Sequence, residues 1–276
     1  MFNSNMACVS YLKYQFNLFL LATSFFTRLP VTEYCHYSPS KMRRASQFFP
    51  LVGWLIAGIL VLEFSILQPL LGLLPSLCLL LISSILLTGA LHEDGLADIC
   101  DGIWGGYSLE RKLAIMKDSR IGTYGTCGLV LALLTKFVLW WQLAQQASLI
   151  LALVLAYPLS RALAISLVQD MKYVSNQIPC ADKHKGSKSE PLAKPMTTQS
   201  LIFVLVTGAS ACLLLPLSTI FYLFIGCISF RYLLKYWLNK HIKGYTGDAL
   251  GTAQQLQELL IYFILIANLP INVGQL

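Results

Sequence analysis

The fold class that this sequence predicts is all-α: a polytopic integral membrane helix bundle of about seven transmembrane helices plus an N-terminal interfacial or re-entrant helix. Three observations predict it. Of the 276 residues, 56% are hydrophobic and only 12% are charged, about half the charged share of an ordinary soluble domain. The apolar residues gather into segments of about the length that crosses a bilayer as a helix. Lys and Arg, which give the chain a formal charge of +7, collect in the connectors between those segments, as in loops on the cytoplasmic side of a membrane. A soluble fold cannot hide that much apolar surface. The loop placement of the cations accounts for the positive charge without a nucleic-acid partner, and the implied partner is membrane lipid. Residues 1–276 read as a single membrane domain.

Residues 14–30 are apolar and aromatic but end at Arg28 and Pro30. They are short for a crossing and read as the interfacial or re-entrant helix. A basic connector with Lys41, Arg43 and Arg44 follows. Residues 51–74 are apolar apart from Glu63 and Gln68 and form the first crossing; Pro75 breaks it, and residues 76–91 form a shorter return. Residues 127–145 form the third span, interrupted by Lys136, which either snorkels or faces the bundle interior. Residues 147–168 form the fourth and contain Pro158 and Arg161. The longest polar segment, 170–198, is rich in Lys and Pro and reads as an exposed loop. Residues 200–216 and 217–238 make a further helix pair. A polar, glycine-containing stretch occupies 240–258, and the last span runs from Leu259 to about Val273.

This order of crossings puts every Lys- and Arg-bearing connector on one side. The connectors near Pro75, Ser148 and Pro216 carry neither residue, so the basic side is cytoplasmic and the C-terminus lies outside. The eight cysteines include no C-x-x-C pair, and the four histidines show no H-x-x-x-H spacing. Neither a disulfide framework nor a zinc site follows from them. No basic region and small-residue cleavage site mark a signal peptide at the start.

The stretch from Gly89 to Gly125 holds six of the thirteen acids: Glu93, Asp94, Asp98, Asp101, Glu110 and Asp118. Asp94, Asp98 and Asp101 are spaced i, i+4, i+7, which places them on one face of a helix. Like charges so placed repel unless a cation joins them. Hard carboxylate oxygens in this pattern suit Mg²⁺, which takes its remaining ligands from waters and substrate phosphates. The plainer reading is a solvated acidic loop.

Lys117, Asp118, Ser119, Arg120, Ile121 and Gly122 come soon after. A Lys and an Arg beside a metal would neutralise phosphate oxygens that the metal leaves bare, and Gly122 and Gly125 would let the backbone approach an anion. Alone, this run is a positive-inside flank with a turn. Asp248, after Thr246 and Gly247, reads either as a helix N-cap or as a further ligand, with Lys243 and Gln254 reaching substrate. Arg161 in an apolar run must pair with a buried acid or a substrate phosphate. His92 is a base or merely interfacial.

The runs G-A-L-H-E-D-G-L-A-D-x-x-D-G and I-M-K-D-S-R-I-G-T-Y-G, with F-F-T-R-L-P, F-F-P-L-V-G and G-Y-T-G-D-A-L-G-T, resemble the membrane-bound cobalamin synthase family, the adenosylcobinamide-GDP ribazoletransferases. The likeness extends over nearly the whole chain. It implies a Mg²⁺-dependent enzyme of the bacterial cytoplasmic (inner) membrane with its active site facing the cytoplasm. Such an enzyme joins adenosylcobinamide-GDP to α-ribazole, or its 5′-phosphate, in the last assembly step of adenosylcobalamin and releases GMP. The family's acidic motif falls on Glu93, Asp94, Asp98 and Asp101; the helical spacing makes Asp94, Asp98 and Asp101 the candidate metal ligands and leaves Glu93 as the candidate proton acceptor, a division of roles that stays open. Its basic motif falls on Lys117, Asp118 and Arg120; Asp248 and Arg161 join them as substrate-binding candidates. A homo-oligomer, or association with other cobalamin-assembly enzymes, stays open. One departure is the long Lys-rich loop at 180–195. A CDP-alcohol phosphotransferase is the nearest rival, but its pattern wants D-G-x-x-A-R, and Asp94-Gly95 is followed by Leu96, Ala97 and Asp98. A membrane prenyltransferase wants a second acidic motif, and the later stretch has only Asp248 and Glu258. A cation transporter is disfavoured by the boundary position of the acids.

Overall fold

The computed structural model describes residues 2–174 and 194–269, with side chains from Val9 onward. Most of the Lys-rich loop at 180–195 and the predicted end of the last span near Val273 lie outside the described residues. The chain forms eleven α-helices among them: α1 Phe2–Phe26, α2 Pro39–Ala45, α3 Phe49–Leu71, α4 Leu73–Thr88, α5 Leu91–Gly105, α6 Leu109–Ile115, α7 Thr123–Gln145, α8 Leu149–Ser166, α9 Thr198–Ala209, α10 Leu217–Ile242 and α11 Gly247–Asn268. The described residues contain no strand, only an isolated bridge between Tyr173 and Tyr245 that ties two polar connectors together.

Five helical segments are long and apolar enough to cross a membrane: Pro39–Leu71, α7, α8, α10 and α11. The pair α4–α5 makes a sixth if taken as one broken span, bent by 85°. The predicted seven crossings differ from this count because α4 has only 16 residues and the α9 segment, Thr198–Leu214, is also short. The bend has a local cause. Gly89 and Ala90 both adopt left-handed backbone (φ 62° and 58°), which stops one helix and re-aims the next. The C-terminal end of α1 clamps this corner, the Arg28 N–H donating to the Leu87 carbonyl at 2.7 Å.

The last helix begins earlier than the hydropathy predicts. α11 starts at Gly247, so the polar run Gln254, Gln255, Gln257 and Glu258 lies inside a helix and is buried. α8 packs against α3, α9 and α11, and α11 also meets α5, α7 and α10. That places the polar run of α11 in the middle of the bundle.

Its charges are balanced there. Lys136 faces inward and pairs with Glu258 at 2.8 Å, with both side chains almost fully buried. Glu258 also accepts from Gln254 (2.6 Å) and Tyr262 (3.1 Å). Arg161 is 1% exposed and donates to the Tyr157 carbonyl at 3.0 Å. Its guanidinium lies over the Tyr157 ring, 4.9 Å from the centroid, within electrostatic reach of Glu258 and Glu93. Among the described residues Arg161 forms no ion pair, and the two acids act on it only through their field. Glu63 accepts from Ser83 at 2.7 Å, linking α3 to α4.

Removing one member of the buried pair leaves the other charge uncompensated. Lys136→Met should destabilise the protein by about 3–5 kcal/mol, and combining it with Glu258→Gln should restore much of that loss. Thermal unfolding in detergent measures both; equal damage from the single and the double variant would contradict the pairing.

Candidate active site

α5 is helical over Leu91–Gly105, so the acids take the predicted face. Asp94 is exposed and Asp98 half-buried, and neither forms an ion pair among the described residues. What the spacing alone does not reveal is the neighbour. The glycine at 95 lets the start of α11 approach so closely that a Cβ there would stand 2.8 Å from the Asp248 carbonyl oxygen. Thr252 reinforces the contact by donating to the Gly95 carbonyl at 3.0 Å. Asp248 thereby joins the group, and Asp98 lies in the field of Asp248, Asp94 and Asp101 together. Asp248 is not the cap of α11: Thr246 is, its hydroxyl accepting from the Ala249 N–H. Asp248 sits in the first turn, where the helix dipole favours a carboxylate.

Asp101 has another engagement. Its two oxygens accept the backbone N–H groups of Gly122 (2.6 Å) and Gly125 (2.8 Å). Gly122 is the N-cap of α7 and has no side chain with which to cap it, so the acid of α5 supplies the missing acceptor. The anion that the two glycines admit is thus the protein's own carboxylate. Asp101 locks α7 to α5, and Asp94, Asp98 and Asp248 carry the remaining negative face, Asp248 accepting from the Thr246 hydroxyl at 3.2 Å.

Among the described residues no group of three His, Cys, Asp or Glu side chains is arranged to enclose a metal ion. The donor set still fits Mg²⁺, which dehydrates reluctantly and is commonly held by one or two carboxylates together with substrate phosphates. Two unpaired, crowded carboxylates one helical turn apart meet that requirement.

Glu93 points the other way. It is 5% exposed and accepts from Gln255 of α11 at 2.9 Å, which makes it part of the interior network. Gln254 is likewise buried, donating to Ser160 and Glu258, and it does not reach the surface site. Arg161 belongs to the same interior. Lys117 is exposed and acts electrostatically on Asp248. Arg120 is engaged by Asp118 through a bond of 2.6 Å, with the Arg side chain 86% exposed. The hydrogen bonds from Arg120 hold the Asp118 carboxyl down at about 2. Lys243 ends α10 in left-handed backbone and is exposed.

A cleft of about 470 Å³ opens beside the acids. Arg28, Phe26, Phe49, His92, Asp94 and Asp248 contribute to its wall. In the sequence, Phe26 and Arg28 belong to the interfacial helix and Phe49 to the F-F-P-L-V-G run before the first crossing, and the sequence alone places none of the three in the site. The local signals were F-F-T-R and F-F-P, but only the stacking of Phe26 and Phe49 beside His92 of α5 turns them toward one space. The lining of the cleft is therefore both polar and aromatic, and it can take a ligand with both characters.

A family model described as cobalamin-5-phosphate synthase matches residues 18–266. A relative from Pseudoalteromonas atlantica named adenosylcobinamide-GDP ribazoletransferase is 53% identical over 265 residues, 96% of each chain. Relatives of the same name from Vibrio parahaemolyticus and Shewanella amazonensis are 47% and 41% identical, covering 93% and 94% of this chain and 94% and 98% of their own. No solved structure matches the chain.

The two kinds of acid on α5 separate by experiment. Asp101→Ala should cost about 1–2 kcal/mol, as the loss of a helix cap does, and should speed hydrogen exchange at the amides of Gly122 and Gly125. Asp98→Asn should leave those amides protected. Equal exchange in both variants would contradict the division.

Proposed function

The chain belongs to the cobalamin-5-phosphate synthase family, and from that membership we propose that it joins adenosylcobinamide-GDP to α-ribazole, or to its 5′-phosphate, and releases GMP. The observation that carries the site assignment is the meeting of Asp94 and Asp98 on α5 with Asp248 on α11, at the edge of a cleft of about 470 Å³. A CDP-alcohol phosphotransferase would need the arginine of its motif on the same helix, and α5 has none.

Asp94 and Asp98 would hold Mg²⁺, which when bound supplies charge neutralisation at the pyrophosphate. Lys117, exposed beside Asp248, binds non-bridging oxygens of the same group. Arg120 remains at the rim with Asp118 and attracts the anionic donor. Asp248, which shares the cleft with Asp94, accepts the proton of a ribose hydroxyl of α-ribazole. That oxygen bonds to the phosphorus on the cobinamide side while the bond from this phosphorus to the GMP oxygen breaks. With a 5′-phosphorylated acceptor the attacking oxygen is necessarily another ribose hydroxyl. The reaction is a single displacement with no covalent intermediate on the enzyme.

The site faces the cytoplasm of the bacterial inner membrane. In support of this orientation, α2, the α6–α7 connector and the C-terminal end of α10 carry Lys and Arg, whereas the turns at 72–75, 146–148 and 215–216 carry none.

Purified protein given adenosylcobinamide-GDP, α-ribazole and Mg²⁺ should form the cobalamin product and GMP, and chelation should stop it. Asp94→Asn and Asp98→Asn should each lower kcat by at least about a hundredfold, the loss of charge stabilisation at a transition state, while the protein still inserts. Chirally labelled donor should show inversion at phosphorus; retention would require a phosphoryl-enzyme and overturn direct attack. A cysteine at the fully exposed Tyr107 should be labelled only from the cytoplasmic side.

A further inference from the structure

His92 is a buried polar side chain that neither the fold nor the acids explain. It is 2% exposed, and neither Nδ1 nor Nε2 has a hydrogen-bond partner. A neutral imidazole carries one N–H donor and one acceptor, and leaving such groups unmade in the interior is costly. The residue lines the cleft beside the acids. Its ring runs nearly parallel to two others, 13° from Phe49 with centroids 5.8 Å apart and 9° from Phe26 at 6.5 Å. Phe26 and Phe49 are themselves stacked at 3.9 Å. The lining of the cleft thus includes parallel aromatic rings with an unmade hydrogen-bonding pair among them, together with Asp94, Asp248 and Arg28.

Resting on the function proposed above, we propose that this cleft is the acceptor subsite, and that His92 reads the base of α-ribazole by donating an N–H to its free ring nitrogen. The two substrates differ in size in a way the cavity can judge. A corrinoid macrocycle with an adenosyl group far exceeds a cleft of about 470 Å³, whereas a benzimidazole riboside is of the class such a cleft accommodates. The base is flat and apolar apart from one ring nitrogen with a lone pair, since the other nitrogen carries the ribose. Parallel aromatic faces suit its plane. A turn of the imidazole about its side-chain torsions brings to the lone pair an N–H that no residue of the protein accepts. With the base against those rings, its ribose shares the cleft with Asp94 and Asp248, where a hydroxyl must lose its proton. A 5′-phosphate would find Arg28, which is exposed at the rim, without disturbing the base.

The test measures binding in nanodiscs with no donor substrate present, comparing α-ribazole with the riboside of the matching indole, in which C–H replaces the free ring nitrogen. The wild type should bind α-ribazole about ten- to a hundredfold more tightly, the range for one buried hydrogen bond whose partner is left unpaired. His92→Phe should bind the two ribosides equally, with KM for adenosylcobinamide-GDP unchanged. No discrimination by the wild type, or undiminished discrimination by His92→Phe, would overturn the proposal. If His92→Phe fails to insert, Phe26→Leu carries the test: both ribosides should weaken by a similar factor of about five, from loss of the stacking face, and unchanged affinities would overturn it. Wild-type protein that turns over both substrates yet ignores the ring nitrogen removes only this assignment. Wild-type protein that forms no product removes the function itself.

Discussion

A carboxylate held among apolar helices must be neutralised, and the rest of this structure depends on how Glu258 is. Lys136 from α7 supplies the cation, and Gln254 and Tyr262 from α11 itself supply further donors. Isolated, such a charge would cost several kcal/mol. Paired and hydrogen-bonded, it fixes the rotation of α11 about its own axis, because only one face of that helix carries Gln254 and Glu258 toward Lys136 and Ser160. Arg161 and Glu93 complete the set from α8 and α5, so four helices are keyed to one another by a network with two cations and two carboxyl groups.

Once α11 is fixed in rotation, its N-terminal turn has one place to go. Gly95 permits α5 to pass against Asp248, and Thr252 closes the contact with a hydrogen bond to the Gly95 carbonyl. The interior network and the exposed acids are therefore two ends of the same helix pair. Glu93 and Gln255 bond inside; Asp94, Asp98 and Asp248 gather outside. Neighbouring residues on α5 serve opposite purposes because about 100° of helix separates consecutive side chains. The third acid of the face, Asp101, tethers α7 and so sets the floor of the site.

The cleft unites chemical characters that a membrane boundary naturally supplies. Aromatic rings come from the end of α1 and the start of α3, carboxylates from α5 and the first turn of α11, and a cation, Arg28, from the segment that follows α1. The 85° bend at Gly89 and Ala90 makes this geometry, turning α5 away from the course of α4 so that its acids stay near the surface. A straight continuation would have carried Asp94 and Asp98 along the line of the preceding span.

The membrane class, the helical face of Asp94, Asp98 and Asp101, the one-sided basic connectors and the family resemblance are all legible in the sequence. They rest on periodicity, on charge placement and on local motif, which are properties of short stretches of chain. The same local view misjudged the start of α11, since Gln254, Gln255 and Glu258 look like a solvated loop until their partners on α5, α7 and α8 are known. It grouped Asp101 with the open acids, because the spacing is the same whether a carboxylate faces a ligand or the amides of Gly122 and Gly125. It offered Glu93 as the proton acceptor with no sight of its bond to Gln255, and it left Phe26, Arg28 and Phe49 outside the site. Those assignments depend on which residues far apart in the chain meet, and only tertiary packing decides that, through the rotation of each helix and the charges it must bury.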